Sequence, residues 1–148
     1  MNNNIEYKFK NIEVWPDDDG QEMILCVVYE MVEKSKCVVY AVSVSREDYS
    51  SLNYMNKFRK EFSNLDIVDC IKKLLVKYPS STEDILMHIP MSIFSKSEKM
   101  KEIFEVVANN DEQIKIAKNV IETRIPYKRS TTEKYIEMID FYNQYFMV

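Results

Sequence analysis

The chain has 148 residues, 46% hydrophobic and 30% charged, with a formal net charge of −4. That balance excludes an intrinsically disordered chain, which combines low apolar content with high net charge, and it disfavours duplex binding, which draws on a basic surplus. The single glycine, Gly20, excludes phosphate-cradling loops, dinucleotide fingerprints and nucleophile elbows, all built on several glycines.

In chain order, Ile5–Val14 is predicted to be a strand. Tyr7 and Phe9 share one phase while Ile12 and Val14 take the other, so a bulge or break is expected at Lys10–Asn11. Pro16-Asp17-Asp18-Asp19-Gly20 reads as a turn. Glu22–Val32 alternates Met23, Leu25, Val27, Tyr29 and Met31. Cys37–Ser45 alternates Val38, Tyr40, Val42 and Val44. Three such runs joined by short polar turns predict an antiparallel meander.

From residue 47 the apolar period changes from 2 to 3.6. A first helix carries Leu52, Met55, Phe58 and Phe62. A second, with Asn64 as its expected cap, carries Ile67, Ile71, Leu74, Leu75 and Tyr78 and stops at Pro79. Thr82 is the expected cap of a short third helix ending at Pro90. Ser95 and Glu98 form a capping box for a fourth, and Asn110 caps a fifth with Ile114, Ala117, Val120, Ile121 and Ile125. Ser130 and Glu133 open a sixth through Tyr135, Met138, Ile139, Tyr142 and Phe146. The expected architecture is α+β: a three-stranded antiparallel meander followed by about five to six amphipathic helices on a shared core, in one domain spanning residues 1–148.

The three cysteines, Cys26, Cys37 and Cys70, are odd in number and lack C-x-x-C spacing. They read as free, buried thiols in a reducing, cytoplasmic setting and argue against a disulfide framework or a zinc site. The polar segment Met1–Tyr7 has no apolar stretch of signal-peptide type, and no run is long enough to span a bilayer. No cofactor motif is present, and no membrane association is expected.

His88 is the sole histidine, so any histidine-dependent triad would rest on it; a helix-end position is the plainer reading. Asp17-Asp18-Asp19-Gly20 resembles the start of a calcium loop, but its acids are contiguous rather than alternate, and the twelfth residue is Val28 instead of a bidentate Glu. Arg124, Lys128 and Arg129, with Lys118 and Tyr127, form a small basic stretch. In an acidic protein such charges more often complement a helix C-terminus than hold nucleic acid. The tail Tyr135–Val148, apolar on more than one face, is a candidate surface for self-association.

The sharpest candidate site surrounds Trp15, the only tryptophan. Glu13, Asp17, Asp18, Asp19 and Glu22 flank it in sequence. Tryptophan is enriched among interface anchors, and an acidic rim steers basic partners; the alternative is that Trp15 folds into the core above a solvated turn. The acidic surplus lies in residues 1–66, with 12 acidic against 8 basic side chains, whereas residues 67–148 hold 12 of each. These features point to a non-enzymatic, acidic inhibitor that occludes a basic protein partner. In physical type the chain resembles immunity proteins that neutralise a toxin or nuclease, and phage-encoded inhibitors of host defence nucleases. A secretion chaperone or structural partner protein is the alternative, although such chaperones usually open with a helix.

Overall fold

The computed structural model of the chain describes residues 6–33, 36–51, 53–94 and 97–124. They form an α+β protein: a three-stranded antiparallel sheet followed by helices. The strands are β1 (Tyr7–Pro16), β2 (Glu22–Met31) and β3 (Lys36–Ser45), in the order β1-β2-β3. The helices are α1 (Arg46–Tyr49), α2 (Tyr54–Phe62), α3 (Ile67–Lys77), α4 (Thr82–Met87), α5 (Met91–Phe94), α6 (Ser97–Val107) and α7 (Asp111–Arg124). None is long and apolar enough to cross a membrane. The expected sixth helix and tail, the Ser95 cap, and Tyr127, Lys128 and Arg129 lie outside the described residues. The chain divides into two compact units, Met1–Cys70 and Ile71–Val148.

The first unit is organised by the alternation of its strands. Leu25, Val27 and Tyr29 point to one face of β2 and are fully buried; they lie opposite Val42, Tyr40 and Val38 of β3. On β1, Phe9 pairs with Tyr29 and Asn11 with Val28, which leaves Lys10 as the extra residue of a bulge. The expected phase slip is therefore real. It brings Phe9, Ile12 and Val14 onto the face of Tyr29, Val27 and Leu25. Tyr29 sits edge-on between two rings, 6.0 Å from Phe9 and 6.5 Å from Tyr40. Its hydroxyl donates to the Leu65 carbonyl at 2.8 Å, which places the segment entering α3 over this inner face. Each large side chain so buried is worth about 1.5–3 kcal/mol.

The helical half of this unit is set by caps. Ser45 accepts the Asp48 amide and starts α1, a single turn that the apolar period did not reveal. Phe58 and Phe62, one helical turn apart on α2, are fully buried with ring centroids 4.7 Å apart. The expected Asn64 cap is corrected: Asn64 takes a left-handed φ of 61°, and Asp66 accepts the Val68 amide at the start of α3. An αL asparagine in this linker does the work that a glycine would do in a richer sequence.

In the second unit, α3 ends before Pro79, which opens a 3-10 turn, Pro79–Ser81, and leads into α4. Thr82 is the first residue of α4 rather than its cap, and its hydroxyl donates back to the Pro79 carbonyl at 2.6 Å. Asn110 caps α7 as expected, accepting the Gln113 amide at 3.1 Å. The core of this unit includes Ile71, Leu74, Leu75, Ile85, Leu86, Phe94, Met100, Ile103, Phe104, Val107, Ala117 and Ile121. Three polar side chains, Thr82, Gln113 and Arg124, are buried with them. Gln113 donates to the Leu75 carbonyl and to Thr82 Oγ1, at 2.8 and 2.9 Å. Arg124 donates to the carbonyls of Leu86 and Ile89, at 2.8 and 2.6 Å, and its guanidinium lies 4.0 Å from the Phe94 ring centroid.

Candidate functional site

The sheet has a second, outer face, and its register fixes what that face displays. Trp15 is opposite Ile24, Glu13 opposite Cys26 and Asn11 opposite Val28. On the far side of β2 these three meet Ser43, Ala41 and Val39. Glu22 lies two residues before Ile24 and hence on the same face. The result is an apolar band of Trp15, Ile24, Cys26, Ala41, Val28 and Val39 with carboxylates at its turn end.

Trp15 is 58% exposed and Val39 40%. The alternative in which Trp15 joins the core therefore fails, because the bulge sets the strand's phase so that position 15 faces outward. The indole is not loose: its Nε1–H donates to Glu13 Oε1 at 3.2 Å. That bond ties the ring to the neighbouring carboxylate and fixes its orientation on the sheet. Cys26 is buried at the centre of the band. Burial, and then the Glu13 charge beside it, push its thiol up, which keeps it protonated and unreactive.

The turn beyond Trp15 is closed by its own hydrogen bonds. The Asp17 amide donates to the Glu22 carbonyl at 3.1 Å, and the Gly20 amide to the Asp17 carbonyl at 3.1 Å. Asp19 Oδ1 accepts the Gln21 amide at 3.0 Å. Gly20 sits at φ 72°, the left-handed region that favours glycine. Arg46, at the start of α1, donates from its side chain to the Gly20 carbonyl and from its amide to the Gln21 carbonyl. The Asp17 carboxyl lies below the usual carboxylate range. Its partial desolvation pushes it up, but Asp19 and the amides of Glu22, Gly20 and Gln21 pull it down further.

The structure thus brings Glu13, Trp15 and Glu22 together on one face. Asp18 and Asp19 are exposed in the adjoining turn, while Asp17 is half-buried beneath it. Glu13, Asp18, Asp19 and Glu22 form no ion pair among the described residues. Composition pointed to all five acids and the tryptophan but not to Arg46, the side chain that anchors the turn. The signal available was its place directly after the last strand, where a hairpin's open end is within reach.

Other sequence candidates fall elsewhere. His88 ends α4, with its Nδ1 2.6 Å from the Asp84 carbonyl, an exposed helix-end position. Arg124 complements a helix end, that of α4, so it belongs to the packing of its unit rather than to an exposed basic stretch. Cys26 and Cys70 are buried, but the expectation of a buried thiol fails at Cys37, which is exposed near the end of the outer face, where Lys10 Nζ lies 3.9 Å from its Sγ. No group of three or more His, Cys, Asp or Glu side chains among the described residues is placed to hold a metal ion.

Comparisons with protein-family models, with curated proteins and with solved structures find no match to the chain.

Proposed function

We propose that this chain is a non-catalytic binding protein that occludes a basic protein partner, in the manner of an immunity protein neutralising a toxin or nuclease. The observation that carries the reading is Trp15: a large aromatic side chain held outward on a rigid sheet and bordered by Glu13, Glu22, Asp18 and Asp19. An aromatic anchor with an acidic border divides the work of binding. The carboxylates raise the encounter rate with a positive surface, and the anchor slows dissociation. A nuclease cleft, basic because it holds phosphates, is the kind of surface that such a face would close. A phage-encoded inhibitor of a host nuclease would use the same face in the same way.

The test is affinity capture from extracts of the source cell and its competitors, with the wild-type chain and with a Trp15→Ala/Asp18→Lys variant. A basic protein retained by the wild type, released by added salt and lost with the variant supports the reading. The variant should melt like the wild type, since both positions are exposed. Equal capture by the two chains, or unfolding of the variant, overturns the assignment of the partner site to this turn.

A further inference from the structure

We infer that the outer face at Trp15 is an arginine-recognition site, in which the indole is a stacking shelf and Glu13 and Glu22 supply carboxylates on either side; this rests on the partner-binding reading above and names the side chain that the partner inserts.

The register carries the argument. Side chains two apart along a strand share a face and stand roughly 7 Å apart. Along the outer face, the row of Glu13 and Cys26 precedes the row of Trp15 and Ile24, and Glu22 lies one row beyond, opposite Ser45. The tryptophan therefore lies between two carboxylate rows rather than beside one. Its ring is oriented, because the indole N–H is bonded to Glu13 Oε1. A group lying on the ring thus has a carboxylate at the ring's edge.

The chemistry selects guanidinium. A planar cation over the indole gains from the ring's negative face. Arginine also offers several N–H donors in the plane of the group, so it can stack and donate sideways to a carboxylate at once. Lysine is a strongly hydrated point charge and can do one or the other. A phosphate would meet two carboxylate rows and be repelled. The fold already uses an arginine at this end of the sheet: Arg46 donates to the Gly20 carbonyl on the turn. That bond engages Arg46 at the turn and leaves the Trp15 ring open, consistent with its exposure.

Because Trp15 is the only tryptophan in the chain, its fluorescence reports this site and nothing else. The experiment titrates the full chain, at low salt, with an acetylated Gly-Arg-Gly-Arg-Gly amide and with the same peptide carrying lysine or citrulline. The arginine peptide should change the emission saturably, with a half-point about tenfold below that of the lysine peptide, and the citrulline peptide should do nothing. Glu13→Gln keeps an acceptor for the indole but removes the charge; with Glu22→Gln it should weaken the arginine response about fivefold or more. No saturable change with arginine, or an equal response to citrulline, overturns the proposal. If arginine peptides bind while no basic protein is captured, the site stands and the occlusion reading falls. If capture depends on Trp15 while arginine peptides leave the emission unchanged, the occlusion reading stands and the arginine site falls.

Discussion

The hydroxyl of Tyr29 donates to the carbonyl of Leu65, 36 residues further along the chain, at 2.8 Å. The bond joins the central strand to the segment that enters α3. Tyr29→Phe leaves the Leu65 carbonyl without this donor, so it should lower stability by about 1 kcal/mol, read as a shift in the urea midpoint at neutral pH.

The same side chain sets an alkaline limit. Burial raises the Tyr29 phenol well above its ordinary value, and the nearby Cys70, Asp66 and Tyr40 add to the shift. The folded state therefore keeps the proton after the unfolded chain has released it. Its contribution is complete below about pH 10 and is lost as the pH climbs beyond that. Wild-type stability should fall above about pH 10, and the gap between wild type and Tyr29→Phe should narrow over that range. Parallel urea titrations of the two chains at neutral and alkaline pH measure it; a gap that stays constant would contradict the assignment.

Arg124 should be among the most sensitive polar positions of the second unit. It holds the carbonyls of Leu86 and Ile89 and lies over Phe94. Arg124→Ala should cost about 3 kcal/mol, and Arg124→Lys should recover less than half of that, because lysine lacks the planar fork. Thermal melts of the three proteins decide it.

Gln113 and Thr82 should be coupled. Gln113 Nε2 bonds Thr82 Oγ1 and the Leu75 carbonyl, all within the buried interior. Gln113→Met and Thr82→Val should each destabilise by about 1–2 kcal/mol, and the double variant by less than their sum. Strict additivity in a double-mutant cycle would mean that the bond carries nothing.

The two candidate caps before α3 should separate cleanly. Asp66→Ala should lose about 1 kcal/mol, since the Val68 amide loses its acceptor. Asn64→Gly should be close to neutral, because Asn64 already sits at a left-handed φ that glycine accepts readily. Denaturant midpoints for both variants test this pairing.

These positions also mark where the sequence was legible. Strict alternation in Met23–Met31 and Val38–Val44 specified the meander, and the change of phase between Phe9 and Ile12 specified the bulge, since side-chain period leaves no other arrangement. Local capping was harder to read: Asn64 and Asp66 are both good caps, and only the backbone decides between them. Gln113 and Arg124 lie on the buried stripe with Ala117, Val120 and Ile121, at helical spacing. Their place in the interior was therefore present in the period, but their polarity hid it. The exposure of Trp15 was undecided in sequence because composition does not state a strand's absolute phase; the bulge does.

That bulge gives β1 one residue of slack. Lys10 is the single unpaired residue between two stretches of regular pairing. Loss of one residue there would leave Phe9 and Asn11 as direct neighbours, still opposite Tyr29 and Val28, and every side chain from Asn11 to Pro16 on the face it already holds. A second loss would find no such reserve: Trp15 and Glu13 would turn to the inner face, and Ile12 and Val14 to the outer one. The strand can thus shorten by one residue at Lys10 and nowhere else pass the change unnoticed.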